Sequence, residues 1–331
     1  MTDVQVLVEV ELPDECDAFV SAAASSLWSV ASHLFEDRGL VVPEVKVVVT
    51  DDIMAVADRE NAALGLDADR RSGVERIGGV VGGKTMCSDS GDRAVVIIAS
   101  ALAGDPEGAA KYWAAGTIAH EYGHLLYGAA RIGAIGRTEN VWLPWDIASM
   151  IGVLAAEEYR VNRIGHALVD QALPATDETG APVSLASIVG WRYIASLIEA
   201  LDSVVPGMSD VVNAYRTHQT TLDEMWAQVV RISEEITLYC AHAETHYDGE
   251  VALFELLPAH PGRELLKAVW EPLATHFDAT QVLPQPEEWA ADRKQIEQIS
   301  KKGWMDAWNR LGLRPTPLGD GYHLAVDKPQ V

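Results

Sequence analysis

The spacing in this chain best suited to chemistry is His120-Glu121-Tyr122-Gly123-His124, an H-E-x-x-H pattern. Residues i and i+4 of a helix share a face, so both imidazoles can reach one metal ion. Glu121 lies one residue round, where it contacts a metal-bound water rather than the metal. A catalytic zinc takes three protein ligands and keeps a fourth position open, so a third donor must come from elsewhere. The next expected helix offers Glu157 and Glu158 within an otherwise apolar stretch of Ile147, Met150, Ile151, Val153, Leu154, Val161 and Ile164. Acids on such a helix are costly to bury unless a cation neutralises them. Glu158 is preferred to its rival Glu157 because Asn162, four residues on, shares its face and can accept a hydrogen bond from a ligand imidazole. Two histidines and a carboxylate favour Zn2+ over other divalent ions.

The order of a strand, a helix carrying HEYGHLLYG and a following helix carrying EYRVNRIG resembles the zincin metallopeptidases of the gluzincin group. It is most similar to the compact ImmA/IrrE-type metallopeptidases, which have HE(L)GH followed downstream by E-x-x-A-[ND]. The resemblance covers about residues 1–170, with Val161 where that family has Ala, and residues 175–331 match no family pattern. It implies zinc held by His120, His124 and Glu158, Glu121 as general base, and Asn162 at the motif's last position. The activity implied is hydrolysis of a peptide or protein substrate: zinc acidifies its water and polarises the scissile carbonyl, and Glu121 carries the proton to the leaving amine. An extended substrate would pair with the sheet edge above the metal, formed by Ala94–Ser100 or Ile77–Val81. A further donor to the oxyanion is expected, with Tyr159, Arg163, His242, His246 and Tyr247 as candidates. His242 or His246 is preferred, since their four-residue spacing in LYCAHAETHYDGE concentrates polar groups.

Other groupings read more plainly. Cys240 with His242 and His246 reads as a satisfied structural cluster rather than a second metal site, and Cys87 as an idle thiol rather than an inhibitory ligand. Trp113, Trp142, Trp145, Trp191 and Trp226 read as packing anchors. Gly78 with Gly83-Lys84-Thr85 satisfies the phosphate-loop pattern G-x-x-x-x-G-K-[ST]. That loop needs a strand before it and a helix after it, whereas MCSDSGDR leads into another strand. The match is read as coincidental, and nucleotide binding through Gly78–Thr85 is the weakest alternative. A non-hydrolytic metal-binding regulatory or peptide-interaction protein on a zincin scaffold is the stronger one, motivated by the large C-terminal region.

The elements that must position these residues follow from periodicity. Val4–Val10, Val45–Val49, Ile77–Val81 and Ala94–Ala99 read as strands. Asp14–Asp37 has helical spacing with Gly39 placed to end it, and Met54–Leu64 is a second helical stretch. Asp105-Pro106-Glu107 opens the H-E-x-x-H helix, expected to run to about Gly128. Residues 65–76 and Gly133–Pro144 read as loops, and Trp145–Leu173 as a long helix. Leu185–Leu201, a broken Asp210–Tyr247, Glu264–Phe277 and Trp289–Asn309 have helical period. The Pro/Gly-rich tail after Gly312 reads as irregular. The fold class expected is α+β: a zincin-like metallopeptidase domain over 1–173, with a small twisted sheet, and a mostly helical region over 174–331.

Composition bounds the partners. The 331 residues carry 25 Lys+Arg against 49 Asp+Glu, a net charge of −24, which repels phosphate backbones and anionic headgroups. The partner expected is therefore a peptide or protein, with neither nucleic acid nor membrane. Three scattered cysteines, Cys16, Cys87 and Cys240, are too few for a disulfide framework, and the acidic N-terminus lacks a signal peptide's basic region. The expected setting is a soluble, reducing compartment, most simply the cytoplasm.

Overall fold

The structure is a computed structural model that describes residues 6–10, 14–66, 75–76, 79–80, 82–102, 110–135, 143–176, 180, 182–184, 194–195, 197–199, 207–246, 253–256 and 261–327. It is α+β, as expected. The chain divides into two compact units: residues 1–133 with 160–189, and residues 134–159 with 190–331. The boundary expected at 173/174 leaves the long helix whole, whereas the division between the two units falls within that helix, at 159/160.

The first unit is built on a four-stranded sheet of order β1-β2-β6-β5. Its strands are β1 (Leu7–Val10), β2 (Glu44–Thr50), β5 (Gly83–Cys87) and β6 (Arg93–Ala99). β1, β2 and β6 are parallel, while β5 runs antiparallel to β6 as an edge strand. Helix α1 (Asp14–Asp37) links β1 to β2, and α2 (Ile53–Leu64) follows β2. The short strands β3 (Glu75–Arg76) and β4 (Gly79–Val80) pair with each other. Of the strand expected over 77–81, residues 77, 78 and 81 lie outside the described residues.

β6 is buried along both faces, as its unbroken AVVIIA run requires of an interior parallel strand. It is therefore not the sheet edge. That place belongs to β5, which is not among the strands expected from the sequence.

One sheet face packs on α2 through Val48, Met86, Val95 and Ile97 against Ile53, Val56, Ala57 and Leu64. The Asp52 side chain caps α2, accepting from Ala55 N at 2.9 Å, and Gly65 ends it with φ of 72°. α1 ends in a Schellman-type turn at Gly39, with Leu40 N donating to Phe35 O at 2.9 Å. Residues Asp17–Asp37 of α1 are long and apolar enough, by length and composition, to cross a membrane. Val20, Ala23, Ala24, Leu27, Trp28, Ala31 and Phe35 are nevertheless all buried in the protein, the position of a core helix.

Helix α3 (Ala110–Ile135) carries the H-E-x-x-H motif, and α4 (Pro144–Ala172) matches the expected long helix to within a residue at each end. The helix start expected at 105–107 lies outside the described residues, as do 67–74 and 136–142 of the expected loops. β7 (Ala175–Thr176) and β8 (Pro182–Val183) form a short ribbon.

In the second unit, α5 (residues 207–216) and α6 (Leu222–His246) are separated by a turn at His218, whose φ is 59°. This is the break expected within 210–247. Of the helix expected over 185–201, residues 194–195 and 197–199 are helical and the others lie outside the described residues. α7 (Leu253–Leu256), α8 (Pro261–Ala279) and α9 (Trp289–Arg310) follow. The tail departs from expectation: β9 (Leu313–Leu318) and β10 (Gly321–Val326) form an antiparallel hairpin. Pro315 and Pro317 are two residues apart, so their nitrogens face the one side of β9 that no strand among the described residues pairs with, and the ribbon tolerates both.

Candidate metal centre

α3 is fixed from behind by the motif's variable residues. Tyr122 is fully buried, its ring 4.9 Å from that of Trp28 in an edge-on contact, and its hydroxyl donates to Ala24 O on α1 at 3.2 Å. Gly123 lets α4 come close: a Cβ there would lie 2.9 Å from the Val161 carbonyl oxygen. Gly165 does the same from the other helix, where a Cβ would lie 3.1 Å from His120 N. Two glycines thus bring the backbones of α3 and α4 near enough for short side chains to converge.

They do converge. The Nε2 atoms of His120 and His124 stand 3.1 Å apart, with the two rings nearly perpendicular at 86°. Two nitrogens bound to one tetrahedral zinc at 2.0–2.1 Å would be about 3.3 Å apart. Among the described residues, the donor atoms of His120, His124 and Glu158 lie within 4.8 Å of one another. Glu158 is carried on the same continuous helix as Asn162, one turn earlier. The Asn162 Oδ1 atom is 2.8 Å from His120 Nδ1, so Nδ1–H donates to it and Nε2 keeps its lone pair for a metal. Asn162 is itself buried, at 4% exposure, which holds this orientation. Two imidazoles and one carboxylate converging in this way form a group that could hold a metal ion. Glu157 is half-buried and outside the converging set.

Glu121 is also outside that set. Its carboxylate is buried at 5% exposure and accepts a 2.6 Å hydrogen bond from the Thr85 hydroxyl on β5. Gly83, two residues earlier, faces the same carboxylate: a Cβ there would lie 2.6 Å from Glu121 Oε1 and 2.9 Å from Thr117 Cγ2. Neither Gly83 nor Thr85 is among the site residues expected from the sequence. The signal available was the phosphate-loop match itself, which falls on strand β5 with no helix after it.

The expected oxyanion donors separate. His242 Nε2 lies 3.6 Å from Glu158 Oε2. His246 turns back on its own helix, its Nδ1–H donating to the His242 carbonyl at 2.8 Å. The Tyr159 hydroxyl donates to Asp278 at 2.6 Å, Arg163 is exposed, and Tyr247 lies outside the described residues. His166, one turn beyond Asn162 on α4, was not read from the sequence. Burial above all, then the neighbouring His120 and Arg163, push its imidazole down to about 4, so it is neutral at pH 7. Cys240 is fully buried, and desolvation, with Glu244 nearby, pushes its thiol far up, which fits a packing role. Cys87 is half-buried and free of any disulfide.

No protein-family model, curated protein or solved structure matches the chain.

Proposed function

We propose that the chain is a zinc-dependent hydrolase of the zincin class, a soluble cytoplasmic metallopeptidase similar to the ImmA/IrrE-type enzymes. The observation that carries this reading is the division of labour at the site. Two imidazoles and the Glu158 carboxylate converge, while a second buried carboxylate, Glu121, stands apart on the strand side. A structural zinc site is closed by four ligands, whereas three ligands with a separate carboxylate suit the activation of water. Zinc bound here would polarise the scissile carbonyl and acidify the attacking water.

The chain's own residues supply the other steps. Asn162 holds His120 in the tautomer that presents Nε2. Glu121 takes the proton of the attacking water and passes it to the leaving nitrogen. His242, near Glu158, is the candidate donor to the oxyanion as it forms.

Metal analysis tests the site directly. About one zinc per chain is expected in the wild type, and none in a His120→Ala/His124→Ala variant. Equal zinc in both would overturn the reading. Glu121→Gln should keep the metal and lose hydrolysis of a mixed peptide library, and cleavage at the wild-type rate would remove the mechanism.

A further inference from the structure

We propose that Gly83 and Thr85, alternate residues of edge strand β5, form the positioning device of the Glu121 carboxylate. The inference rests on the reading of Glu121 as general base. Both residues project from one face of β5, since side chains alternate along a strand. Their partners in β6 are Ile98 and Val96, on the sheet face opposite the α2 core. Thr85 supplies the attraction, a 2.6 Å hydrogen bond from a neutral hydroxyl to a buried carboxylate. Its β-branched side chain is stiff about χ1, so the hydroxyl is held in place by the strand. Gly83 supplies the space, because any Cβ would overlap Glu121 Oε1.

A positioning device has a chemical reason at this site. A carboxylate one residue from a zinc ligand is itself a good zinc ligand, and an unrestrained Glu121 would compete for the open position. Held against β5, it stays outside the converging donors. The Gly83-Lys84-Thr85 run thus has a use unconnected with phosphate. Lys84, between the two, points to the other face of the sheet, where Asp58 is its charged neighbour.

The test needs no known substrate. Wild type, Thr85→Val, Thr85→Ser, Gly83→Ala and Glu121→Gln are loaded with Co2+ and titrated with acetohydroxamic acid, with binding read from the visible absorption of the cobalt. The hydroxamate chelates through its two oxygens and gives its hydroxyl proton to a neighbouring carboxylate, so its affinity reports whether Glu121 is in place. All five proteins should hold one metal ion. Thr85→Val, Gly83→Ala and Glu121→Gln should bind the hydroxamate about tenfold more weakly, while Thr85→Ser, which restores the hydroxyl, binds like the wild type.

Wild-type affinity in Thr85→Val and Gly83→Ala, with weak binding in Glu121→Gln, would overturn the positioning role and leave the hydrolase reading standing. Wild-type affinity in Glu121→Gln, or no metal in the wild type, would overturn both. Thr85→Val is nearly isosteric, so if Gly83→Ala fails to fold, the comparison of Val with Ser at position 85 decides.

Discussion

Which ring nitrogen of His120 carries the proton decides whether the two imidazoles can share one ion. The Asn162 amide oxygen, 2.8 Å from Nδ1, sets that choice, and the buried amide cannot be replaced by water without rearrangement. Asn162→Ala should therefore leave the fold intact and weaken zinc about 10–100-fold, measured by competition with a chelator, with Asn162→Asp restoring most of it. A second residue-scale prediction concerns Glu244, whose carboxyl is held above its ordinary range chiefly by desolvation, with Asp278 and Glu271 adding to it and the Trp270 indole N–H opposing it. A carboxylate with a raised folded pKa costs stability as pH rises above its unfolded value near 4.5, because the folded state releases its proton later than the unfolded chain does. Glu244→Gln keeps an acceptor for Trp270, so it should raise Tm at pH 7, and the gain should vanish by pH 4. A melting temperature unchanged at both pH values would refute the assignment. Of the site's side chains, His120, Glu121 and His124 were legible because their relation is local and periodic. Thr85 and Gly83 were not, since nothing in local spacing shows that a strand more than thirty residues earlier comes to lie against Glu121.

At the scale of elements, the distance between α3 and α4 is set by glycine. An alanine in a helix interior is ordinarily worth about 0.5–1 kcal/mol over glycine, and Gly128, with nothing within 4 Å of its Cβ position, should follow that rule. Gly123, on the same helix, should reverse it. Its Cβ would meet the Val161 carbonyl oxygen at 2.9 Å, and overpacking against backbone costs about 1–3 kcal/mol. Urea denaturation should thus show Gly128→Ala stabilised and Gly123→Ala destabilised, with zinc affinity reduced only in the second. If both variants gained stability, the close approach of the two helices would be refuted. The helices themselves were legible from apolar period: α4 and α9 fall within a residue of the spans read from sequence. Two strand assignments failed for different reasons. β5 has a glycine, a lysine and a threonine where strand signals want apolar alternation, because one of its faces serves Glu121. β9 carries two prolines that read as irregular structure, yet a two-stranded ribbon leaves one side of each strand unpaired.

For the whole molecule, the dominant fact is a net charge of −24 from 25 basic and 49 acidic residues. At that ratio about half of the acids are left without a basic partner of their own, so the folded chain repels itself, and the repulsion is long-ranged in dilute salt. The Debye length falls from about 30 Å at 0.01 M to about 10 Å at 0.1 M, so salt should relieve the repulsion first among distant charges. The opposing effect is loss of surface ion pairs such as Arg293–Glu297 and Lys267–Glu271, each worth only about 0–1 kcal/mol. The compact cluster of Lys46 with Glu9 and Glu60 is partly buried and therefore less screened. Repulsion should win: at fixed zinc and pH 7.5, raising sodium chloride from 10 to 200 mM should raise Tm by a few degrees, about 1 kcal/mol corresponding to roughly 2–4 °C in larger domains. A fall in Tm over that range would mean that specific ion pairs outweigh the excess negative charge. The same excess predicts retention on an anion exchanger and no retention on immobilised heparin or DNA at low salt, where any basic patch able to hold a polyanion would reveal itself.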